Sequence, residues 1–293
     1  MKKFLINIVY CGLLYIMTLI AVVAARIIAA QRQCSEVFSV PQDTKVLCIG
    51  NSHTGCTWYE AAEFRNRVLW TSATGFVTHY MRFREFERRG VLDTGIKYCI
   101  LDCDGPGMGG FANDRLKKRF VDDLPFAWRY INALPIGTFE AILYVLCHTS
   151  QDFSFDEVPP EQVPDWTTRT KEEQESNIIG QYGKVLADWK TGYPRDWQNT
   201  FLELVKDIKM RCEKHGVHLI CFAAPLTSAS PARANQIIWE RESEMIERVK
   251  SLGIDYRDFR LSCEDKQFRD SHHLLRNSSY EFTKKFFRDV LKL

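Results

Sequence analysis

The chain has 293 residues, a formal net charge of +2, 45% hydrophobic and 26% charged residues. That is globular composition with length enough for one large core, and it excludes a disordered protein. A charge so near zero argues against nucleic acid or a strongly acidic partner.

The first predicted element is not globular. Residues 4–25, FLINIVYCGLLYIMTLIAVVAA, carry no charge and are bracketed by Lys2-Lys3 and Arg26. About 22 residues of helix rise about 33 Å, which spans a hydrocarbon core of about 30 Å. A cleaved signal peptide is the rival, because Ala24-Ala25 and Ala29-Ala30 suit a peptidase. Its apolar core, however, would run only about 7–15 residues. The expectation is a retained single-pass anchor within residues 1–33, followed by one soluble domain over 34–293. Lys2, Lys3 and the terminal amine slightly outweigh Arg26 and Arg32. This places the amino terminus in the cytoplasm and the domain on the periplasmic side of the cytoplasmic membrane.

Apolar runs of strand length follow at 46–49, 68–72, 98–101 and 219–223, with a weaker one at 254–256. Helical patterns lie between them. Phe76, Tyr80, Phe83 and Phe86 mark one helix face, with Arg82, Arg84, Glu87 and Arg88 on the other. Ile238, Met245, Val249 and Leu252 mark a second helix, stopped by Gly253. A last helix from about Ser278 should bury Phe282, Phe286 and Val290. Short buried strands separated by helices predict a three-layer α/β/α domain with a parallel sheet. Residues 105–196 break the alternation and read as an insertion over the strand ends.

Ten cysteines invite a disulfide or metal reading. Cys11 lies in the expected anchor, and the nine beyond it cannot all pair. No Cys-x-x-Cys motif occurs, and Cys99-x-x-x-Cys103 lacks a second ligand pair. Cys48, Cys99 and Cys221 sit in strand-like runs, where a thiol serves as a small core residue. One disulfide stays open, its partners unassigned. His215 and His218 have no acidic cluster beside them. No metal and no cofactor is therefore expected.

Two short stretches carry chemistry. Residues 46–54, VLCIGNSHT, present Ser52 just past the carboxyl end of the first strand, where ligands bind in parallel sheets. Residues 268–274, FRDSHHL, place Asp270 three residues before His273. A serine hydroxyl needs a base to become nucleophilic, and the base needs a partner to fix its tautomer. Each residue has a plainer reading alone: Ser52 as a helix cap, Asp270 and His273 as a surface pair. Together, and in this order, they read as catalytic. His272 is the neighbour of the base, His53 is structural or substrate-facing, and Asn51 shapes the turn.

Gly50-Asn51-Ser52-His53 resembles the first block of the SGNH/GDSL hydrolase superfamily, and Asp270-x-x-His273 resembles its last. Gly75 resembles the second-block glycine, and residues 219–225, LICFAAP, resemble the penultimate strand. Gly50-Asn51-Ser52-His53-Thr54 lacks the second glycine of the larger α/β-hydrolase elbow. The resemblance implies a flavodoxin-like sheet and a Ser52–His273–Asp270 triad. It also implies an oxyanion hole using the backbone amides of Ser52 and Gly75. The expected activity is that of an esterase or an O-acetyl (acyl) transferase on an ester-bearing carbohydrate of the cell surface. A lipid esterase at the bilayer and a catalytically silent glycan-binding or assembly protein are the alternatives.

One departure matters. The family's third block supplies an asparagine to the oxyanion, and here Asp104 stands in its place. An ionised carboxylate cannot donate and repels an oxyanion. Four readings stay open: Asn113 donates instead, two backbone amides suffice, Asp104 is protonated, or activity is weakened or lost.

Overall fold

The computed structural model describes residues 2–70, 75–104, 163–179 and 195–293. The chain divides into two compact units, residues 1–39 with 117–154, and residues 40–116 with 155–293. In the first unit, helix α1 (Lys2–Val37) holds the apolar stretch. Its described side chains are nearly all exposed. Among the described residues no helix is long and apolar enough to cross a membrane. The span over residues 4–25 thus remains a reading of the sequence.

The second unit is built on five parallel strands: β1 (Val46–Gly50), β2 (Asn66–Trp70), β3 (Tyr98–Asp102), β4 (His218–Ala223) and β5 (Asp255–Asp258). Their order is β2-β1-β3-β4-β5. The chain steps from β1 to β2 on one side and then to β3 on the other. The crevice of the sheet therefore opens at the β1/β3 carboxyl ends, as in any doubly wound sheet. Every residue of β1 is buried, as a central strand covered on both faces requires. The second strand starts two residues earlier than its apolar run, because pairing with β1 matches Val46 to Asn66 and Gly50 to Trp70. The Asn66 side chain fixes that start, accepting from the Ala61 amide (3.2 Å) and donating to the Tyr59 carbonyl (2.9 Å).

Helices α3 (Phe76–Arg88), α4 (Arg195–Lys214) and α5 (Gln236–Ser251) pack in sequence on one face. The short α2 (Ser52–Thr57) and α6 (Arg276–Phe286) form the other layer. The core beneath α6 joins Val46, Cys48, Ile100, Ile220 and Phe222 to Trp58, Phe286, Phe287 and Leu291. Trp58 is its hub, with Phe222, Phe282 and Phe286 at ring-centroid distances of 5.3, 5.5 and 5.0 Å. Cys48, Cys99 and Cys221 are buried free thiols, as core residues are.

Two side chains depart from the amphipathic reading. Val290 is 37% exposed, while Phe287 and Leu291 are buried. A π-helical turn over Phe287–Leu291 follows α6 and rotates the apolar face by one position. Arg82, expected on the solvent face of α3, is buried, as is Glu85 one turn on. Glu85 is clamped by Arg88 at 2.6 Å and Arg89 at 2.9 Å, which compensates the buried charge.

Candidate active site

The first strand ends where its backbone meets β3. A methyl group at Gly50 would overlap both Thr54 and Asp102, so only glycine lets the two strand ends close. The chain then turns at Asn51, whose Oδ1 accepts from the His53 amide at 2.7 Å and caps α2. This turn fixes Ser52 and His53 at the head of α2. Asn51 shapes the turn and is itself buried.

The second contributor is the loop before α6. A backbone bridge pairs Phe268 with Leu274, and the Arg269 amide donates to the His273 carbonyl at 2.9 Å. Trp166, from the described part of the insertion, packs on Phe268 and Leu274 and donates its amide to the Phe268 carbonyl at 2.7 Å. Inside this hairpin Asp270 Oδ1 accepts from the amides of His272 (3.1 Å) and His273 (2.9 Å). Four consecutive residues thus set the geometry of the Asp270–His273 pair locally.

The two pieces meet. His273 Nδ1 lies 2.8 Å from Asp270 Oδ2, and His273 Nε2 lies 2.9 Å from Ser52 Oγ. A carboxylate on Nδ1 sets the tautomer with the proton on Nδ1, which leaves Nε2 to accept from the hydroxyl. Burial lowers the His273 imidazole below its ordinary range, and the neighbouring His53 and Arg269 add to this against the pull of Asp270. The base is therefore neutral at pH 7. Burial alone would raise Asp270, but His273, His272 and the loop amides hold it far below the usual carboxylate range.

A second histidine–carboxylate pair lies beside the first. His53 Nδ1 hydrogen-bonds Asp104 Oδ2, and both residues are buried. Burial would lower His53, yet Asp104, with Asp102 and Asp270 behind it, pushes it up to about 9. Burial, reinforced by repulsion from Asp104, raises Asp102 to about 8. Its oxygens accept from the Asp104 amide (3.1 Å) and the Thr54 hydroxyl (3.3 Å). His272 lies between the pairs, its ring centroid 4.7 Å from His53 and 4.0 Å from His273. Its Nδ1 is 2.9 Å from Ser271 Oγ, and burial keeps it well below the ordinary imidazole range.

Asp104 thus stands at the end of β3 as the spacing predicts, but its carboxylate is turned to His53. No local motif announces this partnership. Its signal was a histidine and an acid just past the ends of two strands that become neighbours. Gly75 caps α3 in extended conformation, five residues after the end of β2 at Trp70. Asn113 lies outside the described residues.

Ring nitrogens of His53, His272 and His273 lie within 4.8 Å of one another, a spacing a cation could draw on. The donor set argues otherwise. His53 is held as a cation by Asp104, and His273 is committed at both nitrogens, so coordination would dismantle both pairs.

A parallel sheet with a Ser–His–Asp hydrogen-bond chain at its carboxyl edge is an arrangement that serine hydrolases use. No protein-family model and no curated protein matches the chain. Among solved structures it is similar to a GDSL-like lipase from Bacteroides thetaiotaomicron VPI-5482, at 11% identity and a TM-score of 0.45. That match covers 90% of this chain and 97% of the lipase. At such distance, the functional reading rests on the site itself.

Proposed function

We propose that this chain is a serine ester hydrolase or acyl transferase of the SGNH/GDSL type. The observation that carries the reading is the chain Ser52 Oγ, His273 Nε2, His273 Nδ1, Asp270, with distances of 2.9 and 2.8 Å. His273 takes the Ser52 proton as the oxygen attacks an ester carbonyl carbon. Asp270 stabilises the imidazolium that forms. Collapse of the tetrahedral intermediate expels the alcohol, which takes the proton from His273 and leaves an acyl-serine. Water or an acceptor hydroxyl, deprotonated by His273, then removes the acyl group.

The substrate we propose is an ester-bearing carbohydrate at the cell surface, with residues 4–25 holding the domain at the outer face of the cytoplasmic membrane. Two features support a membrane contact for that stretch: its uncharged length, and the exposure of Phe4, Leu14 and Ile20 at 68, 68 and 63%. The test uses detergent-solubilised full chain with an aryl acetate and a fluorophosphonate. Wild type should hydrolyse the ester and be labelled at Ser52, and Ser52→Ala should do neither. A folded wild type that neither reacts nor labels would leave a silent binding protein as the reading. Release of acetate from acetylated oligosaccharides, compared with phospholipid vesicles, separates the carbohydrate substrate from a lipid one.

A further inference from the structure

We infer that the His53 side chain, held by Asp104, donates the oxyanion hydrogen bond for which an asparagine would be expected at position 104. The inference rests on the serine-hydrolase reading and deepens it. The His53 amide is used by Asn51, and the Asp104 amide by Asp102. The Asp104 carboxyl group is already bound to the His53 ring.

Beside the backbone amides of Ser52 and Gly75 that the family resemblance implies, the His53 ring offers a side-chain donor. It follows Ser52 directly, its centroid is 5.4 Å from that of His273, and a ring nitrogen of each lies within 4.8 Å of the other. Asp104 takes Nδ1, and among the described residues no group takes Nε2. With a carboxylate on Nδ1, Nε2 carries a proton only in the doubly protonated ring. The surroundings supply that state: Asp104 and Asp102 face His53 from the end of β3, Asp104 also interacting with His79 of α3, and Asp270 faces it from the α6 loop. Burial opposes the charged ring and is outweighed by these carboxyl groups, so His53 sits at about 9.

In the step, Ser52 Oγ bonds to the carbonyl carbon and its proton passes to His273. The carbonyl π pair moves onto oxygen, where His53 Nε2–H donates without giving up its proton. A cationic donor stabilises that charge more than a neutral amide would. Asp104 becomes a positioning residue for His53 rather than a repulsive charge at the oxyanion.

The experiment follows kcat and KM for aryl acetate hydrolysis against pH, with full chain in detergent and Ser52→Ala as background. Wild type should fall in activity as pH passes about 9, where His53 loses its proton. His53→Ala should lose about 100- to 1000-fold in kcat with little change in KM, the range for one oxyanion donor. His53→Gln offers a non-titrating amide, so it should regain part of that loss and lack the alkaline fall. Asp104→Asn should move the fall to lower pH, because His53 loses the carboxylate that holds it. Thermal unfolding of each variant identifies any that fail to fold, and the properly folded ones decide. Wild-type kcat in His53→Ala or His53→Gln, or an alkaline limb unmoved in both His53→Gln and Asp104→Asn, overturns the inference while the serine-hydrolase reading stands. Loss of all Ser52-dependent activity in wild type sinks both.

Discussion

The two histidine–carboxylate pairs share a chemistry and end in opposite states. His273 with Asp270 lies below the ordinary imidazole range, whereas His53 with Asp104 is pushed up to about 9. Burial disfavours the charged ring in both, so the difference comes from the neighbours. His53 faces three carboxyl groups. His273 faces one, and the Asp270 carboxylate is shared with His272, two backbone amides and Arg269 at 3.6 Å. The ring with surplus negative charge becomes a fixed cation, and the ring without it becomes a base. In the proposed reaction, the two rings would take different tasks because their neighbours differ.

The strongest way to break this comparison is to remove the carboxylate of the base. Asp270→Asn should lower kcat by about 1,000- to 10,000-fold while Ser52 stays in place, since the Nδ1 proton loses its acceptor. Steady-state kinetics with the aryl acetate checks it; a loss below tenfold would mean that His273 is oriented by the loop alone. Gly50→Ala tests the other pair by pushing the β1 and β3 ends apart. Overpacking there should cost about 1–3 kcal/mol, measured by urea unfolding, and should lower activity beyond what the stability loss explains.

A pH series sharpens the contrast more gently. His53 is held above its ordinary 6.5, and Asp102 above its ordinary 3.8 at about 8. Stability from a raised His53 is complete below about 6.5 and lost as pH climbs through about 9, and Asp102 adds loss up to about 8. The melting temperature should therefore fall between pH 6.5 and 9, with a shallower slope in Asp104→Asn. A flat profile in wild type would remove the charge surplus around His53. The smallest effect belongs to Val290→Thr, which should shift stability by no more than about 0.5 kcal/mol because the π turn leaves Val290 at the surface.

Much of the strand pattern was legible because a buried parallel strand leaves little choice of residue. Val46–Gly50 could hardly be read otherwise. The register was less legible: β2 begins at Asn66, a polar residue kept by its bonds to Tyr59 and Ala61, so hydropathy alone starts it late. Ser52, Asp270 and His273 could be proposed because the Asp-x-x-His spacing is local and Ser52 follows a strand directly. The His53–Asp104 bond spans 51 residues and exists only because β1 and β3 are sheet neighbours. Composition around either residue does not reveal it. The buried Arg82 and the outward Val290 were missed for a related reason: periodicity describes an ideal helix, not its packing partner or a π turn.

The bracing of α2 by α6 has a consequence in time. The carbonyl of Thr57 accepts from Ser279 and Thr283, the Tyr59 amide donates to Thr283, and Trp58 packs under Phe282 and Phe286. The residues that hold the nucleophile's helix, like the base itself, are made last. Ser52 and His273 are separated by 221 positions. At about 5–20 residues per second, a ribosome finishes that interval in roughly ten to forty seconds. Throughout that period the serine has neither base nor brace, so the growing chain would carry an ordinary hydroxyl past every ester it meets.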